Sequence, residues 1–258
     1  MKDQSNNTLF IGKVAIHLTS VDSTNQFAHN FISKTNPIEG TVIRADEQLA
    51  GRGQFGSSWL AAPGENITLS VILCPKSLLV KQQFVLNAAM SLGVYDFINE
   101  VLEKPIGLAI KWPNDIYIGQ KKLAGMLIEN ILKGSYLDKT IVGIGVNVNQ
   151  ELFDPALPNP SSMFLNSGVK YDINKILFQL YAALERQYLR IQAGKSKEII
   201  SDYTTRLFQI GILAKYKIAA NQEIVEGVIE GVDEIGRLLL KINEAHNSFD
   251  LKQISPVF

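Results

Sequence analysis

Between Gly107 and Val148 four short apolar segments follow one another (Gly107–Trp112, Ile116–Ile118, Leu123–Leu132 and Thr140–Val148), separated by turns too short to hold a crossover helix. Parallel neighbours would need such a crossover, so the segments are expected to pair antiparallel. Helical stretches lie on either side. Ser23-Thr24-Asn25-Gln26 has the form of a capping box, with Ser23 as N-cap and Gln26 three residues on, ahead of the stripe Phe27, Phe31, Ile32. Thr41–Ala45 and the apolar run Ile67–Cys74 read as strands, and Lys81–Leu102 carries Phe84, Ala88, Val94, Tyr95, Ile98 and Leu102 near a helical period. That helix should cover one face of the sheet. Asp154–Gly168, with Pro155, Pro158 and Pro160, reads as a loop; Asp172 then caps a helix buried along Ile176, Leu177, Leu180, Leu184, Tyr188 and Ile191. The fold class is α+β.

After a last helical stretch near Ile199–Phe208 the pattern changes to short strands, Ala214–Ile218, Glu223–Val232, Arg237–Ile242 and Ser248–Leu251. They suggest a small β-barrel over residues 212–258, behind a larger domain over 1–211. With 258 residues, 46% of them hydrophobic, the chain can bury a full core. Basic and acidic residues number 25 each, so the formal net charge of zero argues against nucleic-acid binding through bulk charge. Cys74, the single cysteine, excludes an internal disulfide framework and reads as core filler. The start, Met1–Phe10, is polar and lacks an apolar signal core, and no stretch approaches the roughly 18 apolar residues of a membrane helix. A cytoplasmic protein is expected.

Gly51-Arg52-Gly53-Gln54-Phe55-Gly56 matches G-x-G-x-x-G. A dinucleotide fingerprint requires a helix to open at the third glycine, whereas Ser57-Ser58-Trp59 leads to Pro63-Gly64 and then a strand. A protein-kinase loop requires V-A-I-K, H-R-D and D-F-G elements, which do not occur; neither does a P-loop. Three histidines and one cysteine give no zinc spacing. The plainer alternative for the segment is a flexible glycine turn. Its residue types add chemistry: backbone that a ligand can approach closely, the fixed cation of Arg52, and the flat rings of Phe55 and Trp59. Such a loop suits an anion joined to an apolar body, and its ordering over a ligand would exclude water.

In Lys111-Trp112-Pro113-Asn114-Asp115 a lysine ends one strand and an aspartate starts the next. A working site would set Lys111 against a carboxylate or phosphate and Asp115 near a magnesium ion; the plainer alternative is a surface ion pair beside a turn. Lys121-Lys122-Leu123-Ala124-Gly125 places a lysine at the head of a strand and small residues where a ligand could lie flat. In Gly143-Ile144-Gly145-Val146-Asn147-Val148 two glycines interrupt a buried strand, which they weaken unless something approaches closely. Asn147 offers a donor and an acceptor to an adenine edge, or simply caps the strand end.

Taken together, Ser23-Thr24-Asn25, Gln48, Gly51–Gly56 with Trp59, Lys111–Asp115, Lys122–Gly125 and Gly143–Asn147 resemble, in order and spacing, the biotin protein ligases. Pro160-Ser161-Ser162-Met163 is similar to that family's later serine-containing loop, and the last strands to its SH3-like barrel. The resemblance implies the fold shared with class II aminoacyl-tRNA synthetases, a mixed and largely antiparallel sheet with helices. It also implies two-step chemistry: biotin and MgATP give biotinyl-5′-AMP and pyrophosphate, and a lysine of a biotin carboxyl carrier protein domain then takes the acyl group. By resemblance Arg52, Lys111 and Lys122 are the catalytic cations. Ser23, Thr24, Asn25 and Gln48 would recognise the ureido ring, with Gly51, Arg52, Gly53, Gln54, Trp59, Lys122 and Gly125 along the rest of biotin. Arg52, Gln54, Lys111, Asn114, Gly143, Gly145 and Asn147 would face ATP, and Asp115 magnesium.

Two departures stand out. Gln54 replaces the second arginine of the family's frequent G-R-G-R loop. Only 22 residues precede Ser23, too few for the helix-turn-helix of the family's repressors, so no operator binding is expected. The alternatives are a lipoate or octanoate ligase, whose substrate lacks the ureido ring, and a non-catalytic module that grips a carrier. An exposed sheet edge would allow a homodimer without specifying one.

Overall fold

Ile67–Leu73, buried at every position, is an interior strand of the large sheet in the computed structural model, which describes residues 8–258 apart from the side chain of Phe55. The reading of Met1–Phe10 as lacking a signal core, up to residue 7, and that of the Phe55 ring lie outside the described residues. In chain order the elements are β1 (Ala15–Val21), α1 (Thr24–Lys34), β2 (Thr41–Gln48), β3 (Ile67–Leu73), α2 (Gln83–Val101), β4 (Leu108–Lys111), β5 (Asp115–Ile118), β6 (Lys121–Lys133), β7 (Tyr136–Val146), α3 (Met163–Ser167), α4 (Ile173–Gln192) and α5 (Ser196–Thr205). Then come β8 (Leu213–Ile218), β9 (Ile224–Val232), β10 (Leu238–Ile242), β11 (Ala245–Phe249) and β12 (Ile254–Pro256).

The first seven strands form one sheet in the order β1-β2-β3-β7-β6-β5-β4, in which β1 and β2 are parallel and every other pair antiparallel. The short turns dictate this. β5 reaches β6 through Gly119-Gln120 and β6 reaches β7 through Gly134-Ser135, and both glycines take the positive φ that a two-residue hairpin demands. The remaining strands form a second, antiparallel sheet in the order β11-β10-β9-β8-β12. It stands where the barrel is expected.

Alternation along the strands divides the large sheet into two covered faces. On one, α1 packs Ala28 on Ile43, Ile72 and Ile141, flanked by Phe27 and Phe31. On the other, α2 lies between the sheet and α4, with Phe97, Leu86 and Leu184 wholly buried. The helix expected over Lys81–Leu102 therefore covers one face as its pattern requires. It is apolar nearly all round because α4 covers its back.

Four local readings need correction. β1 escapes the sequence because it is a half-exposed edge strand with weak alternation. β12 has three residues, too few for a period. Inside the Pro-rich loop Ser162 caps the single turn α3, which ends at Gly168 in the left-handed conformation. At α1 Ser23 does cap, accepting from the Gln26 backbone, but the Gln26 side chain donates to Asn30 rather than returning to Ser23.

Beyond α1's face, the carboxylate of Glu185, buried on α4, accepts the backbone N–H groups of Phe10 at 2.8 Å and Ile11 at 2.9 Å, and that of Leu9 as well. A buried carboxylate holding three amides is a strong tether, since hydrogen bonds to charged groups contribute more than neutral ones. Glu185→Ala should lower the free energy of unfolding by about 2–3 kcal/mol, by the cost of leaving buried donors unpaired. Urea denaturation checks this as a lower midpoint at unchanged slope.

Candidate functional site

Three glycines hollow the α1 face of the large sheet. Across β3, β7 and β6 the register aligns Ser70 with Gly143 and Leu127, and the next row aligns Thr68 with Gly145 and Gly125. A Cβ at Gly143 would overlap the amide of Asn25, one at Gly145 would overlap the indole of Trp59, and one at Gly125 would crowd Asp115 and Lys122. Something does approach these glycines closely, and it is the protein's own side chains. The trough they leave is the floor of a cavity of about 260 Å³.

One end of the cavity is polar. Ser23, Thr24 and Asn25, all buried, enter it from the first turn of α1, and Gln48 from the end of β2. Gln48 Oε1 accepts from the Thr24 backbone N–H at 2.8 Å and lies 3.1 Å from the Thr24 hydroxyl. Ser70 lies between Thr24 Oγ1, at 2.8 Å, and Asn25 Oδ1, at 2.6 Å. Neither Ser70 nor Glu129, which holds Asn25 Nδ2 at 2.6 Å, is among the residues the sequence points to. A serine midway along a run that is otherwise apolar but for Thr68 is the signal that was there to be read.

The glycine segment is a small hairpin rather than an open turn. Gly53 N–H donates to Ser57 at 2.7 Å, Trp59 N–H to Gly51 at 2.9 Å, and a single 3-10 turn spans Gln54–Gly56. This folds Trp59 over Gly145, beside the Lys122 ammonium, 5.8 Å from the ring centroid. The indole Nε1 is buried and has no partner among the described residues. Arg52, Gly53 and Gln54 line the cavity, and Arg52 is exposed with no carboxylate within 4 Å among the described residues. Gly51 stands behind them, packed against the Trp59 carbonyl and the Gln48 amide.

At the other end Lys111 and Asp115 face each other across the β4–β5 turn. That turn is braced from several sides: the Pro113 carbonyl accepts from Asn87 and from the buried Tyr203, both at 2.8 Å, and the Trp112 indole donates to Gly236 at 2.9 Å. Asn114 is buried and gives its amide to the Met126 carbonyl, so its donor serves the turn. Asp115 pairs with Lys122 at 2.7 Å. Lys111, in contrast, has no carboxylate within 4 Å among the described residues. It lies 5.2 Å from the Tyr117 ring centroid and 5.8 Å from that of Phe258. Burial, aided by Lys122 and opposed by Asp115, holds the Lys111 ammonium below the ordinary lysine pKa. Tyr216, Leu238 and residues 254–256 of the second sheet complete this end, a contribution the sequence analysis misses.

Two expected site residues stand outside the lining, Gly51 and Asn147. Asn147 donates to the Ser161 carbonyl at 2.8 Å and ties the strand end to the 159–162 loop, while its Oδ1 is buried without a partner among the described residues. As for magnesium, no three His, Cys, Asp or Glu side chains among the described residues could hold a metal together, and Asp115 is the one carboxylate in the lining. These residues fit an ion that brings its other ligands with it, as phosphate oxygens and water do.

A sheet with a polar cage, a flat apolar slot and two unpaired cations in one cavity defines a protein that handles an acid with a polar head group. The family model "Biotin/lipoate A/B protein ligase family" matches residues 18–147. The chain is 30% identical over 243 residues to the bifunctional ligase/repressor BirA of Bacillus subtilis, covering 92% of this chain and 72% of that protein. It is 30% identical to the biotin–[acetyl-CoA-carboxylase] ligase of Paracoccus denitrificans, covering 87% and 92% respectively. The biotin protein ligase of Aquifex aeolicus, solved in complex with biotin and ATP, superposes with a TM-score of 0.77 at 27% identity, over 94% of this chain and 98% of that one. The chain belongs to the biotin/lipoate protein ligase family, on its biotin protein ligase branch.

Because Gly145 has no room for a side chain, Gly145→Ala should displace the Trp59 indole and destabilise the fold by about 1–3 kcal/mol, the usual cost of overpacking. A shift in tryptophan emission together with a lower thermal midpoint would bear this out; an unchanged spectrum would refute it.

Proposed function

We propose that this protein activates biotin with ATP to biotinyl-5′-AMP and transfers the acyl group to a lysine of a biotin carboxyl carrier protein domain. The observation that carries the reading is the continuity of one cavity, from the Ser23, Asn25 and Gln48 cage along the Trp59–Gly145 slot to the unpaired cations Arg52 and Lys111. A bicyclic urea on an apolar chain ending in a carboxylate has this sequence of polarities.

In the first step a carboxylate oxygen attacks the α-phosphorus of ATP, the bond to the bridging oxygen breaks, and pyrophosphate leaves. Two anions must meet, and a fixed cation at about 4 Å offsets on the order of 4 kcal/mol at an effective dielectric near 20. Lys111 and Arg52 supply that charge. Magnesium carried on the nucleotide would neutralise phosphate charge, and Asp115, the one carboxylate in the lining, would be the residue to hold it. In the second step the carrier's amine attacks the acyl carbon, AMP departs, and the nitrogen loses its proton. Trp59 and the hairpin cover the mixed anhydride from water. Among the described residues no helix is long and apolar enough to cross a membrane. A cytoplasmic setting, where ATP and the carrier are at hand, accords with the reading.

The ureido-binding groups favour biotin over lipoate or octanoate. Biotin-dependent ATP–pyrophosphate exchange, with none from lipoate or octanoate, is the expected result. Incubation with ATP, magnesium, biotin and a lysate, followed by mass spectrometry, should show a lysine carrying the biotinyl mass. Exchange with lipoate but not biotin would overturn the assignment.

The lowered pKa of Lys111 also has a consequence for rate. A group whose folded pKa is depressed loses its proton at a lower pH, so adenylate formation should fall on the alkaline side before an ordinary lysine would discharge. Asp115 opposes the depression, so in Asp115→Asn the alkaline limb of kcat/KM against pH should move to still lower pH. Movement in the other direction would remove Lys111 from that role.

A further inference from the structure

Asn25 sits in a hydrogen-bond chain that reaches out of the cavity. Its Nδ2 donates to Glu129 Oε2 at 2.6 Å and to the Leu127 carbonyl at 3.2 Å. Neither partner offers a hydrogen in return. On the other side Ser70, wholly buried, lies 2.6 Å from Asn25 Oδ1. A hydroxyl has one hydrogen and an amide oxygen only accepts, so Ser70 donates here. Both amide hydrogens of Asn25 are therefore committed inside the protein, while Oδ1 keeps one lone pair.

Gln48 is oriented by the same logic. Its Oε1 accepts from a backbone N–H of Thr24, which turns Nε2 outward with no hydrogen-bond partner among the described residues. The cage thus offers one acceptor, Asn25 Oδ1, and two donors, Gln48 Nε2 and the Ser23 hydroxyl.

We propose that Glu129 and Ser70 are positioning residues that lock the Asn25 amide with its oxygen toward the ligand, so that Asn25 reads a ring N–H while Gln48 and Ser23 read the adjoining carbonyl. The recognised class is a cyclic urea, and the inference rests on the biotin reading above. A dithiolane or alkyl head would leave all three groups unpaired. Glu129 touches no substrate. It acts because a carboxylate, unlike an amide or an apolar group, cannot accommodate Asn25 in the flipped orientation. Its other neighbour, His29 Nε2 at 3.6 Å, lies on the outer side and leaves the Asn25 contact intact.

The test is a KM-against-kcat comparison in biotin-dependent ATP–pyrophosphate exchange. Glu129→Leu should raise the biotin KM about tenfold, the effect of one buried hydrogen bond, with kcat within about twofold. Glu129→Gln keeps an oxygen that can accept from Nδ2 but also admits the flipped amide, so its KM should fall between those of the wild type and Glu129→Leu. Ser70→Ala, a second variant that leaves Glu129 in place, should raise KM in the same way. The wild-type preference for biotin over an N-methylated ureido analogue should shrink in Glu129→Leu. Wild-type KM in both Glu129→Leu and Ser70→Ala, or a fall in kcat at unchanged KM, overturns the lock while leaving the biotin reading intact. Absence of biotin-dependent exchange in the wild type overturns both.

Discussion

The site depends on a trough in a β-sheet, and the trough depends on three missing side chains. Glycine in the interior of a strand costs stability, since it loses chain entropy and gives nothing to pack. Gly125, Gly143 and Gly145 bear that cost on adjacent strands of the same face, and α1 and the glycine hairpin recover it by packing Asn25 and Trp59 into the space. Recognition and packing are therefore one arrangement. The groups that would hold a ligand are held in turn by the sheet, which limits how far any of them can relax.

The same economy governs charge. Arg52, Lys111, Lys122 and Lys252 all line one small cavity and would repel one another, and a buried lysine without compensation tends to discharge. Asp115 lies between Lys111 and Lys122, directly bonded to the second and facing the first across the turn. The second sheet supplies the low-polarity wall through Tyr216 and Leu238, with the Phe258 ring near the Lys111 ammonium. Lys122 is thereby neutralised and Lys111 left without a carboxylate partner among the described residues, a division of roles between two chemically alike residues.

Much of this was legible in the sequence because it is local. Short turns between apolar runs dictate antiparallel order, Ser23 announces a cap, and the clustering of Lys111 with Asp115 needs only a tight turn. What stayed hidden is non-local. The Lys122–Asp115 pair depends on the β5–β6 register, the enclosure of Asn147 on where the 159–162 loop returns, and the wall of Tyr216 and residues 254–256 on how a second sheet packs. Ser70 and Glu129 are distant in sequence from Asn25 and meet it only because β3 and β6 both border β7's glycines. The strands β1 and β12 and the turn α3 were too short or too exposed to leave a period.

The cavity is bounded at one end by Ser23 and at the other by Ile254, so its two walls come from opposite ends of the described chain. Holding together segments so far apart in sequence carries a loop-closure cost that adjacent strands of the trough avoid. A chain loosened at its second sheet would keep the trough and the cage without the second wall, and so a grip on the acid without an enclosure for its activated form. The topology therefore makes the two separable: the parts that recognise the substrate belong to the large sheet and its first helix, and the chamber for the reactive species needs the second sheet as well.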